Sequence, residues 1–258
     1  MLAIMLLIAA ALSEELEAAL RPCTSRTRIR IAGVRAYRAE RNGHALLFAK
    51  TGACGARSAR RLEKALAVLD PSRVLVVGYA GALDPGLKLG DLVIVRRAAA
   101  LGDLQPVRLP LDRMPLGRWW ELSGGQELLG LSRAAGLAAH CGDLLTSPLV
   151  IGEPSQKLLL HRRFQAAAID METAALAAVA ASRGLPMSCV RAVSDEADDP
   201  FLAPFSHAPT ATLAGQALRI VAAGHWVRRL QQWRERAGKA RRSLEHFLVH
   251  YLDTAGAA

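Results

Sequence analysis

The sequence predicts a single α/β domain followed by a basic helical extension. Two stretches carry that expectation. Residues 170 to 198 read as a helix and then a buried strand, and residues 74 to 95 as a strand, a tight turn and a second strand. The length, 258 residues, suits one large domain. We place that domain at 1–208 and the extension, packed on it or following it, at 209–258.

Residues 2–12 form an apolar run. They lack the basic residues that open a signal peptide, the acidic Ser13-Glu14-Glu15 follows at once, and the run is too short to cross a bilayer as a helix. We read it as a buried first strand, with an uncleaved membrane-associated start as the lesser alternative. Ser13 is the expected N-cap of the next helix, with Glu14 and Glu15 in its first turn. Residues 28–32 and 34–38 alternate in strand fashion around Gly33, and 46–49 make another short strand. Thr51-Gly52-Ala53-Cys54-Gly55 then forms a glycine loop that opens a helix, an arrangement able to hold an anion on backbone amides.

The buried strand at Val74 runs into Gly78-Tyr79-Ala80-Gly81. A turn follows at Asp84-Pro85-Gly86, and Gly90-Asp91 leads into a further strand. Trp119 and Trp120 read as a surface pair packed on a neighbouring element. In the stretch from Asp170, acidic residues open a helix of small residues, and Gly184 and Pro186 end it. The next strand carries Asp195 to its carboxyl end, where α/β sheets place their ligand sites. Residues 201–209 read as a loop and 211–252 as one or two arginine-rich helices, with Trp226 and Trp233 on one face.

The chain is 52% apolar, poor in aromatics, and carries a formal charge of +10. Such a surface favours anionic partners. The four cysteines are scattered without a Cys-x-x-Cys pair, so they read as free thiols of a reducing compartment. His246 and His250 lie four apart with no third ligand in view, and no metal is expected.

Asp170-Met171-Glu172-Thr173-Ala174-Ala175 followed by Val190-Arg191-Ala192-Val193-Ser194-Asp195 resembles the signature of the nucleosidase and nucleoside phosphorylase superfamily. Nearest in pattern are the methylthioadenosine/S-adenosylhomocysteine nucleosidases and the hopanoid-associated phosphorylases. Ala10-Ala11-Leu12-Ser13-Glu14-Glu15-Leu16 is similar to that family's opening motif, and 78–91 to its Gly-Ser-Ala-Gly segment, with Tyr79 in place of the serine. The resemblance implies a twisted mixed β-sheet with helices on both sides, an oligomer of identical subunits, and no organic cofactor.

It also implies roles by position. Asp195 would protonate the departing purine, its burial holding a proton on it, with Ser194 orienting it. Glu15 would activate water. Glu172 would bind ribose hydroxyls and favour the cationic sugar, and Met171 would pack on the ribose face. Ala80 and Gly81 would face the purine. Leu149 would stand where relatives stack an aromatic, and Val150 would read the purine edge through its backbone. Tyr79 and Arg57 would border the water or phosphate site. Water and phosphate both stand as attacking groups.

The implied activity is cleavage of a purine nucleoside, adenine from a 5′-modified ribose. A basic tail like this one is similar to that of hopanoid-associated relatives, while short nucleosidases would end near its start; an adenosyl lipid is therefore among the expected substrates. That version implies a cytoplasmic enzyme peripheral to the inner membrane. Two other classes compete. Tyr79 and Leu149 motivate a non-catalytic nucleoside-binding module, and charge alone motivates a nucleic-acid binder. The latter has no accompanying motif, and nucleic acid is not the expected partner.

Overall fold

The computed structural model describes residues 6–102, 111–200 and 226–255. Everything is hung on the fifth strand. Strand β1 (Leu6–Ala10) leads into helix α1 (Ser13–Leu20), and strands β2 (Ser25–Ile31), β3 (Val34–Arg41) and β4 (His44–Lys50) follow before α2 (Gly55–Leu66). Strand β5 (Arg73–Ala82) comes next, then β6 (Leu92–Ala100), β7 (Trp120–Glu121), α3 (Gly125–Ala134) and β8 (Ala139–Thr146). The described chain ends with α4 (Pro154–Phe164), β9 (Ala168–Asp170), α5 (Thr173–Ser182), β10 (Met187–Asp195) and α6 (Trp226–Ala255).

β5 pairs in parallel with β1 on one side and with β10 on the other, and its end pairs antiparallel with β9. β10 continues antiparallel to β6, β6 parallel to β8, and β8 parallel to β9. The mixed sheet therefore closes on itself through β5, β10, β6, β8 and β9, and an arm of β1, β4, β3 and β2 leaves the ring. β2 is the free rim of that arm among the described residues.

The sequence explains which strands lie where. Every residue of β1 is buried, as is Val74–Val77 of β5, in keeping with parallel strands covered on both faces. β3 alternates instead, because it lies toward the rim. The hairpins on either side of β3 turn through Ala32-Gly33 and Asn42-Gly43, all four at positive φ, the geometry that matches strand twist.

Helices cover both faces, as expected. Leu62, Leu66, Leu176 and Val179 of α2 and α5 pack one face against Val74, Val76 and Val193. Leu16 and Leu20 of α1, Leu128 of α3 and the second half of α6 pack the other. Helix α4 fixes a third cluster, in which Leu160 meets Leu83, Leu101 and Leu145.

Helix α6 is more than an appendage. Ala240, Leu244, Phe247, Leu248, Tyr251 and Leu252 recur at helical spacing and are buried in the core. Arg41 grips Asp253 through two bonds of 2.8 and 2.9 Å. The expected loop at 201–209, the helical reading of 211–225 and the side chains of Trp226 and Trp233 lie outside the described residues. No helix among the described residues is long and apolar enough to cross a membrane. Trp119 and Trp120 are half-buried, with the guanidinium of Arg97 over one ring and that of Arg118 over the other.

Candidate active site

The carboxyl end of β5 forms the floor of a cluster of buried charges. Two glycines there are required by close approach. A Cβ on Gly78 would lie 2.2 Å from Arg191 Nη1 and 2.6 Å from Glu15 Oε1, and one on Gly81 would lie 2.8 Å from Asp195 Oδ2. Residues 78–81 thus let side chains from α1 and β10 converge over a bare backbone.

Glu15 comes from the first turn of α1, just past β1. The N-cap is Leu12, one residue before the serine that the sequence suggests, and a leucine has no side-chain acceptor for the orphan amides. Glu15 instead holds the entry to the helix from its third residue: Oε2 accepts the amides of Ala11 (3.0 Å) and Leu12 (2.7 Å). Oε1 accepts the amide of Tyr79 at 2.8 Å, which stitches α1 to β5. Ser13 accepts a bond from Lys50 Nζ instead. Burial pushes the Glu15 carboxyl above its ordinary range, against the pull of Arg191 and the three amides.

Arg191, in the middle of β10, is wholly buried among three carboxylates. Its Nη2 lies 2.5 Å from Asp170 Oδ2, 2.7 Å from Thr173 Oγ1 and 3.8 Å from Glu172 Oε2. Asp170, at the end of β9, also accepts Thr146 Oγ1 and the amide of Thr173, so it caps α5 while it pairs with the arginine. Burial opposes the charge on Arg191, but Asp170, Glu172 and Glu15 outweigh it and the guanidinium stays ionised. Its Nη1 is buried with no hydrogen-bond partner. Glu172 Oε1 accepts the amide of Cys54 at 3.1 Å. Burial first, and the charge of Asp170 second, push Glu172 up to about 8. The glycine loop at Thr51–Gly55, with Cys54 at φ 85, therefore presents an amide to a carboxylate of this chain.

Asp195 ends β10, 3% exposed. Ser194 Oγ donates to Oδ1 at 2.7 Å. Lys157 Nζ lies 2.5 Å from Oδ2, with its remaining contacts to the carbonyls of Glu196 (2.7 Å) and Asp199 (3.4 Å). A buried lysine, which the sequence reading did not anticipate, thus faces Asp195 from the side opposite Ser194's bond, on its other carboxylate oxygen.

The other expected residues fall at various places. Met171 is half-buried between Asp170 and Glu172, and Ala80 and Gly81 form part of the β5 floor. Leu149 and Val150 lie half-buried in the loop after β8, where the Leu149 amide bonds to Ser147 Oγ at 3.1 Å. Tyr79 gives the cluster its amide, while its ring packs in the α1–α6 core and its hydroxyl is buried without a partner. Burial and the charge of Glu15 raise the Tyr79 phenol. Arg57 is exposed on the first turn of α2.

Sequence reasoning missed Lys157. Nothing in the local pattern marks it, since three leucines follow directly. In the fold Lys157 and Leu160 share the buried stripe, whereas Leu158 and Leu159 are 36% and 38% exposed. It also took Asp170 for a helix opener and nothing more. The described residues contain no group of three or more His, Cys, Asp or Glu side chains arranged to hold a metal.

Comparison with known proteins places this arrangement in context. The model of the phosphorylase superfamily matches residues 5–223. A 5′-methylthioadenosine/S-adenosylhomocysteine nucleosidase of Staphylococcus haemolyticus is 28% identical over 201 residues, 74% of this chain and 86% of that protein. An aminodeoxyfutalosine nucleosidase of Campylobacter jejuni is 26% identical over 197 residues, again 74% and 86%. Among solved structures, the Helicobacter pylori 5′-methylthioadenosine/S-adenosylhomocysteine nucleosidase with butyl-thio-DADMe-Immucillin-A superposes at a TM-score of 0.75 and 20% identity, over 98% of this chain and 100% of that one. That overlay extends beyond residue 223, so the C-terminal helix belongs to the shared fold. The expectation that nucleosidases end before it is corrected accordingly.

Proposed function

The chain belongs to the phosphorylase superfamily, and from that premise we propose that it hydrolyses the N-glycosidic bond of an adenine nucleoside with a 5′-modified ribose. The observation that carries this reading is the surplus of buried carboxylate. Glu15, Asp170 and Glu172 surround one guanidinium, and the amides of Ala11, Leu12, Tyr79 and Cys54 are already bound to carboxylates. The backbone amides a phosphate would need are taken by carboxylates, and Arg191 Nη1, which has no partner, is buried beside Glu15, which favours water as the attacking group. A sugar gaining positive charge would meet the field it needs.

Each buried group then has a task. Glu15 takes a proton from water, and a carboxyl raised by burial is the stronger base for it. Glu172 binds ribose hydroxyls, and the growing positive charge favours its ionised form. As the C1′–N9 bond breaks, its electron pair enters the purine, and Asp195, oriented by Ser194, protonates N7. Met171 lines the ribose face, Ala80, Gly81 and Val150 the base, and Leu149 gives the base an aliphatic contact. Relatives named as nucleosidases of methylthioadenosine, S-adenosylhomocysteine and aminodeoxyfutalosine support an adenine nucleoside as substrate.

The finer version of the reading makes the 5′ substituent a lipid and the contact with membrane peripheral. It rests on the arginines of α6, of which Arg241 and Arg242 are exposed. Assembly of identical subunits belongs to the same reading by resemblance.

The test is adenine release from methylthioadenosine, S-adenosylhomocysteine, adenosine and an adenosyl lipid, each with and without phosphate, beside Asp195→Asn. We expect release that needs no phosphate and falls about 10²–10⁴-fold in the variant. Release only with phosphate would overturn hydrolysis. Binding of these nucleosides without any release would favour the non-catalytic module.

A further inference from the structure

We propose that Lys157 supplies the proton that Asp195 hands to the departing base, acting through Asp195 as a positioning residue. The inference rests on the nucleosidase reading of the site. The Lys157 side chain is 0% exposed and that of Asp195 5% exposed, with Nζ 2.5 Å from Oδ2. The other Nζ contacts, the carbonyls of Glu196 and Asp199, accept hydrogen bonds and hold no proton to exchange. Leu160, one turn further along α4, locks the helix into the cluster of Leu83, Leu101 and Leu145, which fixes the ammonium in place.

Burying an ion pair in this way gains little stability over an apolar pair of the same shape. The arrangement does place a mobile proton beside the residue that spends one. The pair carries one exchangeable proton, on Nζ or on Oδ2. When the glycosidic electron pair enters the purine, the Nζ–H bond breaks as O–H forms on Asp195, and the carboxyl O–H breaks as N7–H forms. Lys157 is left as a neutral amine, and Glu15 holds the proton taken from water. Return of one proton to Lys157 and loss of one from Glu15 close the cycle.

The experiment compares two leaving groups in the full-length protein. The adenine nucleoside needs a proton to leave; 4-nitrophenyl β-D-riboside releases 4-nitrophenolate and needs none. Lys157→Arg keeps a cation against Asp195 but offers no transferable proton, and Lys157→Met removes the charge. For Lys157→Arg we expect kcat on the adenine nucleoside to fall about 100-fold or more, KM to stay within about threefold, and turnover of the 4-nitrophenyl riboside to match wild type. Equal losses on both substrates would show a merely structural lysine and overturn the proposal. So would a Lys157→Met or Lys157→Arg enzyme with wild-type kcat on the adenine nucleoside. A wild-type protein that releases nothing from either substrate would instead overturn the nucleosidase reading.

Discussion

Gly78 admits no side chain without displacing Arg191 or Glu15, both held by buried partners. Gly78→Ala should therefore overpack the site, lowering stability by about 1–3 kcal/mol and activity with it; thermal melting and adenine release measure the two. Glu172 makes a prediction about pH. Its carboxyl is raised to about 8, so the native state holds a proton that the unfolded chain has released above about pH 4.5. Stability from this group is complete below that pH and is lost as the pH climbs toward 8. Glu172→Gln should leave Tm unchanged near pH 4.5 and raise it increasingly up to pH 8, relative to wild type. A constant offset across that range would contradict the account. Glu15, Glu172 and Asp195 could be singled out in the sequence because each lies in a stretch that resembles a family motif, with Asp195 as the last residue of its strand. Lys157 could not, since its burial depends on the contact between α4 and the turn after β10, which no local pattern encodes.

Elements differ in how far they announce themselves. The end of α5 is written in the sequence: Gly184 takes φ 62, and the amides of Gly184 and Leu185 return to the carbonyls of Ala181 and Ala180. No atom lies within 4 Å of a Cβ built on Gly184. Gly184→Ala should thus cost only the left-handed backbone, about 1–2 kcal/mol, read as a drop in the denaturant midpoint with the slope unchanged. The start of α1 was less legible. Ser13 looked like the cap, but the helix begins one residue earlier because Glu15 turns back to bind the amides of Ala11 and Leu12 and reach Tyr79. The individual strands followed from apolar runs and alternation. Closure of the ring did not, because it needs β5 and β9 to meet through the pairs Gly81–Ile169 and Ala82–Ala168, brought together from distant parts of the chain.

At the scale of the whole molecule, the basic C-terminal segment changes meaning. Read along the sequence, its arginines dominate; read in the fold, its apolar stripe does. Phe247 is fully buried and stacks on Tyr251 at 5.6 Å between ring centres. Phe247→Ala should cost about 3–5 kcal/mol, and removal of 226–255 should yield aggregated protein rather than a compact core, as judged by light scattering. Membrane binding is therefore better probed by reversing Arg241 and Arg242 than by truncation.

The free rim at β2 has a consequence for life in a crowded solution. An exposed strand edge invites a neighbouring chain to continue the sheet. Here Arg26, Arg28 and Arg30 stand exposed at every second position of β2. Two copies approaching rim to rim in antiparallel fashion would bring rows of guanidinium groups together, so the hydrogen-bonding edge is open to water yet closed to its own kind. Arg28→Thr with Arg30→Thr should leave the melting temperature nearly unchanged while making association depend steeply on protein concentration.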